Sequence, residues 1–159
     1  MKILLTGSTG YIGRRLLTGL LAGGHYITCL VRDKRRFDWD DFNEAEQRQL
    51  EIIEVDLTKP ESLKGVPTSY EVAYYLVHSM SSPTVDFAEQ ESESAKNFVT
   101  LINQSTAKQI IYLSGIVNDD DLSSHVLSRK NVEDILTTAF APVTVLRAAI
   151  IIGSGSASF

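Results

Sequence analysis

Short apolar runs alternate with amphipathic stretches along the whole chain. Ile3 to Leu5 is a continuous apolar run, the mark of a strand buried on both faces of a parallel sheet. Beyond a glycine-bearing turn, Ile12, Leu16, Leu17, Leu20 and Leu21 recur at helical spacing, and Gly23-Gly24 supplies the stop. Tyr26 to Val31 reads as a second strand, and the polar stretch Arg32 to Gln49 is expected to hold a short helix. Ile52 to Val55 forms the third strand and Pro60 to Leu63 a brief helical turn. Glu71 to Val77, rich in tyrosine and valine, forms the fourth strand.

Asp86 to Ser105 is the longest helical candidate. Its acidic residues crowd the first turns, where the macrodipole favours them, and Ala95, Phe98, Val99 and Ile102 share one face. Gln109 to Leu113 follows as a fifth strand, Ser124 to Thr138 as an amphipathic helix and Val143 to Ile152 as a last, long apolar strand. Strands alternating with helices, without repeats or low-complexity linkers, predict an α/β fold. The expected architecture is a doubly wound parallel sheet of about six strands in the Rossmann order 3-2-1-4-5-6, helices on both faces.

The totals fit that picture. A chain of 159 residues is the size of one domain, so residues 1–159 are taken as one unit. With 43% hydrophobic and 22% charged residues, the composition is that of a globular protein rather than a disordered or fibrous one. A net charge of −5 gives no general attraction to nucleic acid or anionic lipid, so neither is expected as a partner. No run reaches transmembrane length, and a cytoplasmic location is expected. Cys29 lies in an apolar run, where it reads as a small buried hydrophobe. His25, His78 and His125 are scattered without ligands at metal spacing, so no metal is expected.

The chemistry-bearing segment is Thr6-Gly7-Ser8-Thr9-Gly10-Tyr11-Ile12-Gly13, set between a buried strand and an amphipathic helix. Gly7 permits the tight turn, Gly10 lets backbone approach a diphosphate, and Gly13 lets helix and strand pack closely. Free amides at the helix start then face the phosphates. This context predicts a dinucleotide site.

The GxxGxxG spacing with its preceding Thr6 resembles extended and atypical short-chain dehydrogenases/reductases, and among them the NmrA-like NAD(P)-binding branch. The resemblance runs over essentially the whole chain. It implies an adenine contact at Asp56-Leu57, a cofactor-proximal edge at Leu76-Val77-His78 and a substrate-orienting serine at Ser114 within Leu113-Ser114-Gly115. Active members of that family pair a tyrosine, which transfers a proton, with a lysine that lowers its pKa. In His125-Val126-Leu127-Ser128-Arg129-Lys130-Asn131-Val132-Glu133, His125 replaces the tyrosine and Arg129 the lysine. His125 can exchange protons near neutral pH, but a neighbouring guanidinium favours its neutral form. Arg129 can hold a ribose or phosphate, yet stays protonated. Alternatively, His125 is a helix-start residue after the capping Ser123-Ser124.

Cofactor choice follows from charge at the end of the second strand, where an acid bonds the ribose of NAD and cations suit the 2′-phosphate of NADP. Val31 stands at the acid position, with Arg32 next, Arg35 and Arg36 near, and Arg14 directly after Gly13. NADP is therefore expected in preference to NAD, Asp33 remaining an alternative ribose ligand and Arg35 and Arg36 an alternative solvated loop. The family continues into a substrate-binding portion beyond the sixth strand. The chain is thus read as truncated, with a homodimer through its C-terminal edge strand as the alternative. Two functions are carried forward: an NADP(H)-dependent oxidoreductase or nucleotide-sugar-epimerase-like protein acting on a small molecule, and a non-catalytic NADP(H) sensor.

Overall fold

The computed structural model describes residues 1–77, 85–116, 124–149 and 151–154, with the side chains of 85–87 and 124–126 outside the description. Its strands are β1 (Lys2–Thr6), β2 (Tyr26–Val31), β3 (Leu50–Glu54), β4 (Val72–Tyr75), β5 (Gln109–Gly115) and β6 (Val143–Ala148). The helices are α1 (Tyr11–Ala22), α2 (Glu44–Gln47), α3 (Val85–Asn103) and α4 (Ser124–Leu136), with 3-10 turns at Lys34–Arg36 and Pro60–Leu63. All strands pair in parallel in one six-stranded sheet of order β3-β2-β1-β4-β5-β6. This is the expected doubly wound topology.

Alternate side chains of each strand enter two cores, as a period of two requires. Leu4, Ala73, Tyr75, Ile110 and Tyr112 pack with Ala95, Phe98 and Ile102 of α3 and Val132 and Leu136 of α4. Ile3, Leu5, Ile27, Cys29 and Val31 pack on the other side with Leu17 and Leu21 of α1, and with Phe37 and Phe42. Each fully buried leucine contributes about 2 kcal/mol. Within the polar stretch after β2, Asn43 caps α2 and forms a reciprocal capping box with Glu46, so four residues hold a helix.

Several strand limits differ from the hydrophobic pattern, and β5 runs two residues past Leu113 to Gly115. Leu50, buried and paired with Ile27, starts β3 two residues before Ile52. At β4 the ladder stops at Tyr75 rather than Val77, because the Thr6 hydroxyl intervenes: it donates to the Tyr74 carbonyl and accepts the Leu76 amide, each at 3.1 Å. β6 ends at Ala148 rather than Ile152, because β5 ends opposite it at Gly115. Val143 and Val145 pack against the α3–α4 core, whereas Leu146 on the opposite face is 51% exposed.

Candidate dinucleotide site

The turn between β1 and α1 is shaped by contacts that exclude side chains. Gly7 has φ +74°, and a β-carbon there would meet the Leu76 carbonyl oxygen at 2.5 Å. A β-carbon on Gly13 would overlap the Gly7 carbonyl oxygen and meet the Ser8 Cα at 2.9 Å. Gly10 is different: its φ is −83°, and a β-carbon would meet only the Gly7 carbonyl oxygen, at 3.3 Å. The fold's own packing thus requires Gly7 and Gly13, while Gly10 keeps an open side. Gly10 caps α1 without a side-chain bond, and the Arg14 amide donates to its carbonyl at 2.9 Å. The amides of Tyr11, Ile12 and Gly13 accordingly lack intrahelical acceptors and lend the helix start positive character. An uncrowded backbone cradle with free donors fits a dinucleotide diphosphate.

The side chains around the cradle divide by role. Thr9 is exposed, whereas Thr6 and Ser8 are buried. The Thr6 hydroxyl, expected to serve the cofactor, is committed to Tyr74 and Leu76 and clamps β1 to β4. Ser8 lies beside Cys29, whose thiol burial pushes up to about 12, so Cys29 is an inert core residue. Tyr11 and Ile12 are half-buried. The Arg15 guanidinium sits 3.8 Å from the centroid of the Tyr11 ring and donates to the Ser154 carbonyl at 2.8 Å. The Tyr11 hydroxyl also touches Gly153, leaving no room there for a β-carbon. The residues after β6 are thereby pinned to the start of α1, a contact that no local pattern announces.

The arginines near β2 do not act as one group. Asp33 caps the 3-10 turn and accepts from Arg35 through its amide at 3.0 Å, Nε at 2.8 Å and Nη2 at 2.9 Å. Those bonds hold the Asp33 carboxyl below the usual carboxylate range. Arg35 is thus turned onto Asp33. Arg14 and Arg36 line a small pocket with Ser8, Thr9, Asp38 and Asp41, and Phe37 and Phe42 also border it. Arg14 Nη2 donates to Asp41 at 2.5 Å and lies 3.7 Å from Asp38. The sequence reading missed both aspartates; the only local sign is their spacing among Phe37, Trp39 and Phe42.

Arg32 is exposed and near enough to Asp56 to influence it. Partial burial acts to raise the Asp56 carboxyl, but hydrogen bonds from the Thr58 hydroxyl and amide, with the charges of Lys59 and Arg32, hold it below its ordinary range. Leu57 is a core residue whose carbonyl accepts from Asn97 at 2.8 Å. Leu76 and Val77 are half-buried, Leu76 lying against Gly7, and His78 falls outside the described residues.

At the end of β5, Ser114 is 2% exposed and its hydroxyl has no hydrogen-bond partner among the described residues. Arg129 of α4 crosses the next residue: a β-carbon on Gly115 would meet Arg129 Nη1 at 2.8 Å. The Tyr112 hydroxyl, pushed up to about 12 by burial, donates to the Arg129 carbonyl at 3.4 Å. Further along α4, the Ser128 hydroxyl donates to the Glu91 carboxylate of α3 and Asn131 donates to Ser92 at 2.6 Å. His125 lies in the first turn of α4, with its side chain outside the described residues. Ser114 thus ends β5, with Arg129 against the neighbouring Gly115, at the carboxyl edge of the sheet that also carries the glycine turn.

Comparison with known proteins agrees with this construction. The chain is 24% identical over 155 residues to a ceramide reductase of Caulobacter vibrioides, covering 96% of this chain and 47% of that protein. It is 30% identical over 132 residues to the photosystem II assembly factor Ycf39 of Cyanophora paradoxa, covering 81% and 38% respectively. It thus spans about half the length, or less, of these relatives. Among solved structures, the fold matches WbmH of Bordetella bronchiseptica in complex with NAD+, with a TM-score of 0.79 at 15% identity over 98% of this chain and 58% of that one. A nucleoside-diphosphate-sugar epimerase of Staphylococcus aureus matches with a TM-score of 0.72 at 19% identity, over 92% and 50%. Residues 7–150 match the family described as NAD(P)H-binding, which takes in the glycine turn, the post-β2 loop and the β5–α4 edge. This chain therefore belongs to the NAD(P)H-binding family.

Proposed function

We propose that this chain holds NADP(H) in preference to NAD(H) and forms the cofactor-binding part of an oxidoreductase acting on a carbonyl or alcohol group. The observation that carries the reading is the shared edge: the free amides at the start of α1, the Ser114 hydroxyl and the Arg129 side chain against Gly115 lie at the same carboxyl end of the sheet. Bound dinucleotide supplies hydride chemistry there. The chain's own part is to hold diphosphate on the α1 amides, to offer Ser114 as a hydroxyl donor to substrate oxygen and to place Arg129 near ribose or phosphate. His125, at the start of the same helix, is the proposed proton-exchanging group. The name of one relative, a ceramide reductase, is in keeping with reduction of a carbonyl.

Preference for NADP is supported by Val31, which offers no carboxylate at the end of β2, by Asp33, which is taken by Arg35, and by Arg14 and Arg36 at the pocket beside the glycine turn. Equilibrium titration with both oxidised cofactors tests this; tighter binding of NAD than of NADP would end it. Oxidation of NADPH over a panel of aldehydes and ketones tests the reaction, with a lower rate expected for His125→Phe.

A second reading, a dinucleotide sensor without turnover, is favoured by Arg129, which cannot carry a proton. Saturable NADP(H) binding with no turnover of any carbonyl or alcohol would select it.

A further inference from the structure

Arg14 follows the glycine turn directly, yet its guanidinium already has carboxylate partners. Nη2 lies 2.5 Å from Asp41 and 3.7 Å from Asp38, while the three side chains remain 50%, 48% and 54% exposed respectively. At that exposure water could satisfy each group, so burial does not force the pairing.

The aspartates are held in place by contacts independent of Arg14. Phe37 and Phe42, each 8% exposed, stack at 5.7 Å, and Trp39 meets Phe37 edge-on at 5.2 Å. The Gln47 side-chain amide donates to the carbonyls of Phe42 at 2.8 Å and Trp39 at 3.2 Å. This aromatic strap carries Asp38 and Asp41 to the rim of the pocket that Arg14 and Arg36 line. Two guanidinium groups and two carboxylates thus line the pocket, whose formal charge is balanced.

A 2′-phosphate entering there must take Arg14 from Asp41 and approach carboxylates of its own sign. A ribose hydroxyl meets no such opposition, because it can donate to a carboxylate. We infer that Asp41, seconded by Asp38, is a specificity-determining residue that masks Arg14 and narrows the preference for NADP over NAD. This rests on the reading that the pocket beside the glycine turn receives the 2′-phosphate.

The test is calorimetric titration of the full chain and its variants with NADP+ and NAD+. Asp41→Asn should tighten NADP+ by roughly fivefold, the scale of an exposed ion pair, and move NAD+ by less than about twofold. Arg14→Gln should weaken NADP+, and adding Asp41→Asn to it should recover nothing. If Arg14→Gln weakens NADP+ but Asp41→Asn leaves the ratio of the two affinities unchanged, the masking is refuted while the phosphate assignment survives. If Arg14→Gln leaves NADP+ binding intact, both fall. Asp38→Asn, the more distant partner, should shift the ratio the same way by about twofold; it decides the matter should Asp41→Asn fail to fold.

Discussion

The two halves of the sheet are built differently. In β1 and β2 every residue after the first is buried, so these strands are sealed by α1 on one face and the α3–α4 core on the other. In β5 burial alternates residue by residue, and in β6 no residue is fully buried. The first half places its cradle through backbone geometry, with close contacts at Gly7 and Gly13 leaving the chain one path. The second half places its groups through side chains: Ser114, Arg129 and the Ser128–Glu91 bond between helices. On the proposed function, diphosphate binding is thus a property of main-chain shape, whereas any chemistry depends on residues that substitution can alter without disturbing the sheet.

The largest effect should come from pressing on the backbone-defined half. Gly13→Ala sets a methyl group against the Gly7 carbonyl and Ser8, and should destabilise the domain by about 3 kcal/mol in urea denaturation. Gly10→Ala meets nothing closer than 3.3 Å and should cost only about 1 kcal/mol, as a poorer helix cap. Dinucleotide affinity should nevertheless fall, because the methyl group enters the cradle. Equal destabilisation by the two changes would erase the distinction between packing glycine and binding glycine.

That distinction also marks how far the sequence could be read. The strand order, the glycine turn and the α3 face of Ala95, Phe98, Val99 and Ile102 were legible because each depends on local periodicity or on a turn that few residues allow. Strand ends were not, since the Thr6 hydroxyl that cuts β4 short acts 68 and 70 residues away in the chain. The arginine cluster misled for a related reason. Neighbours in sequence, Arg35 turns onto Asp33 and Arg36 lines the pocket, while Arg14 meets Asp41 from 27 residues away. Charge counts do not reveal which charges cancel.

Leu17→Ala, at a fully buried position facing β1 and β2, should cost about 3 kcal/mol. The same core gives a pH signature through Cys29. Its thiol, ordinarily near 9.0, is pushed by burial to about 12, so the folded state favours the neutral form. That stabilisation is complete below pH 9 and declines as pH climbs towards 12. Burial also moves Tyr70 and Tyr112 to about 12, adding losses of the same sign, so Cys29→Ala should lessen the alkaline slope without removing it. Thiol trapping gives the sharper measurement: iodoacetamide at neutral pH should label Cys29 only after denaturant is added.

The smallest effect is expected at Leu146, Leu17's counterpart in the one-sided half. Leu146 is 51% exposed on the face opposite α3 and α4, in the edge strand β6. Leu146→Lys removes little buried apolar surface and keeps the long side chain's stem on the sheet, so its cost should stay within about 0.5 kcal/mol. A lysine on an edge strand also discourages pairing with another chain, so the variant should be no less soluble than the parent. A loss of about 2 kcal/mol or more in unfolding free energy would mean that this face of β6 is covered in solution. The contrast between a sealed half and an open half would then have to be withdrawn.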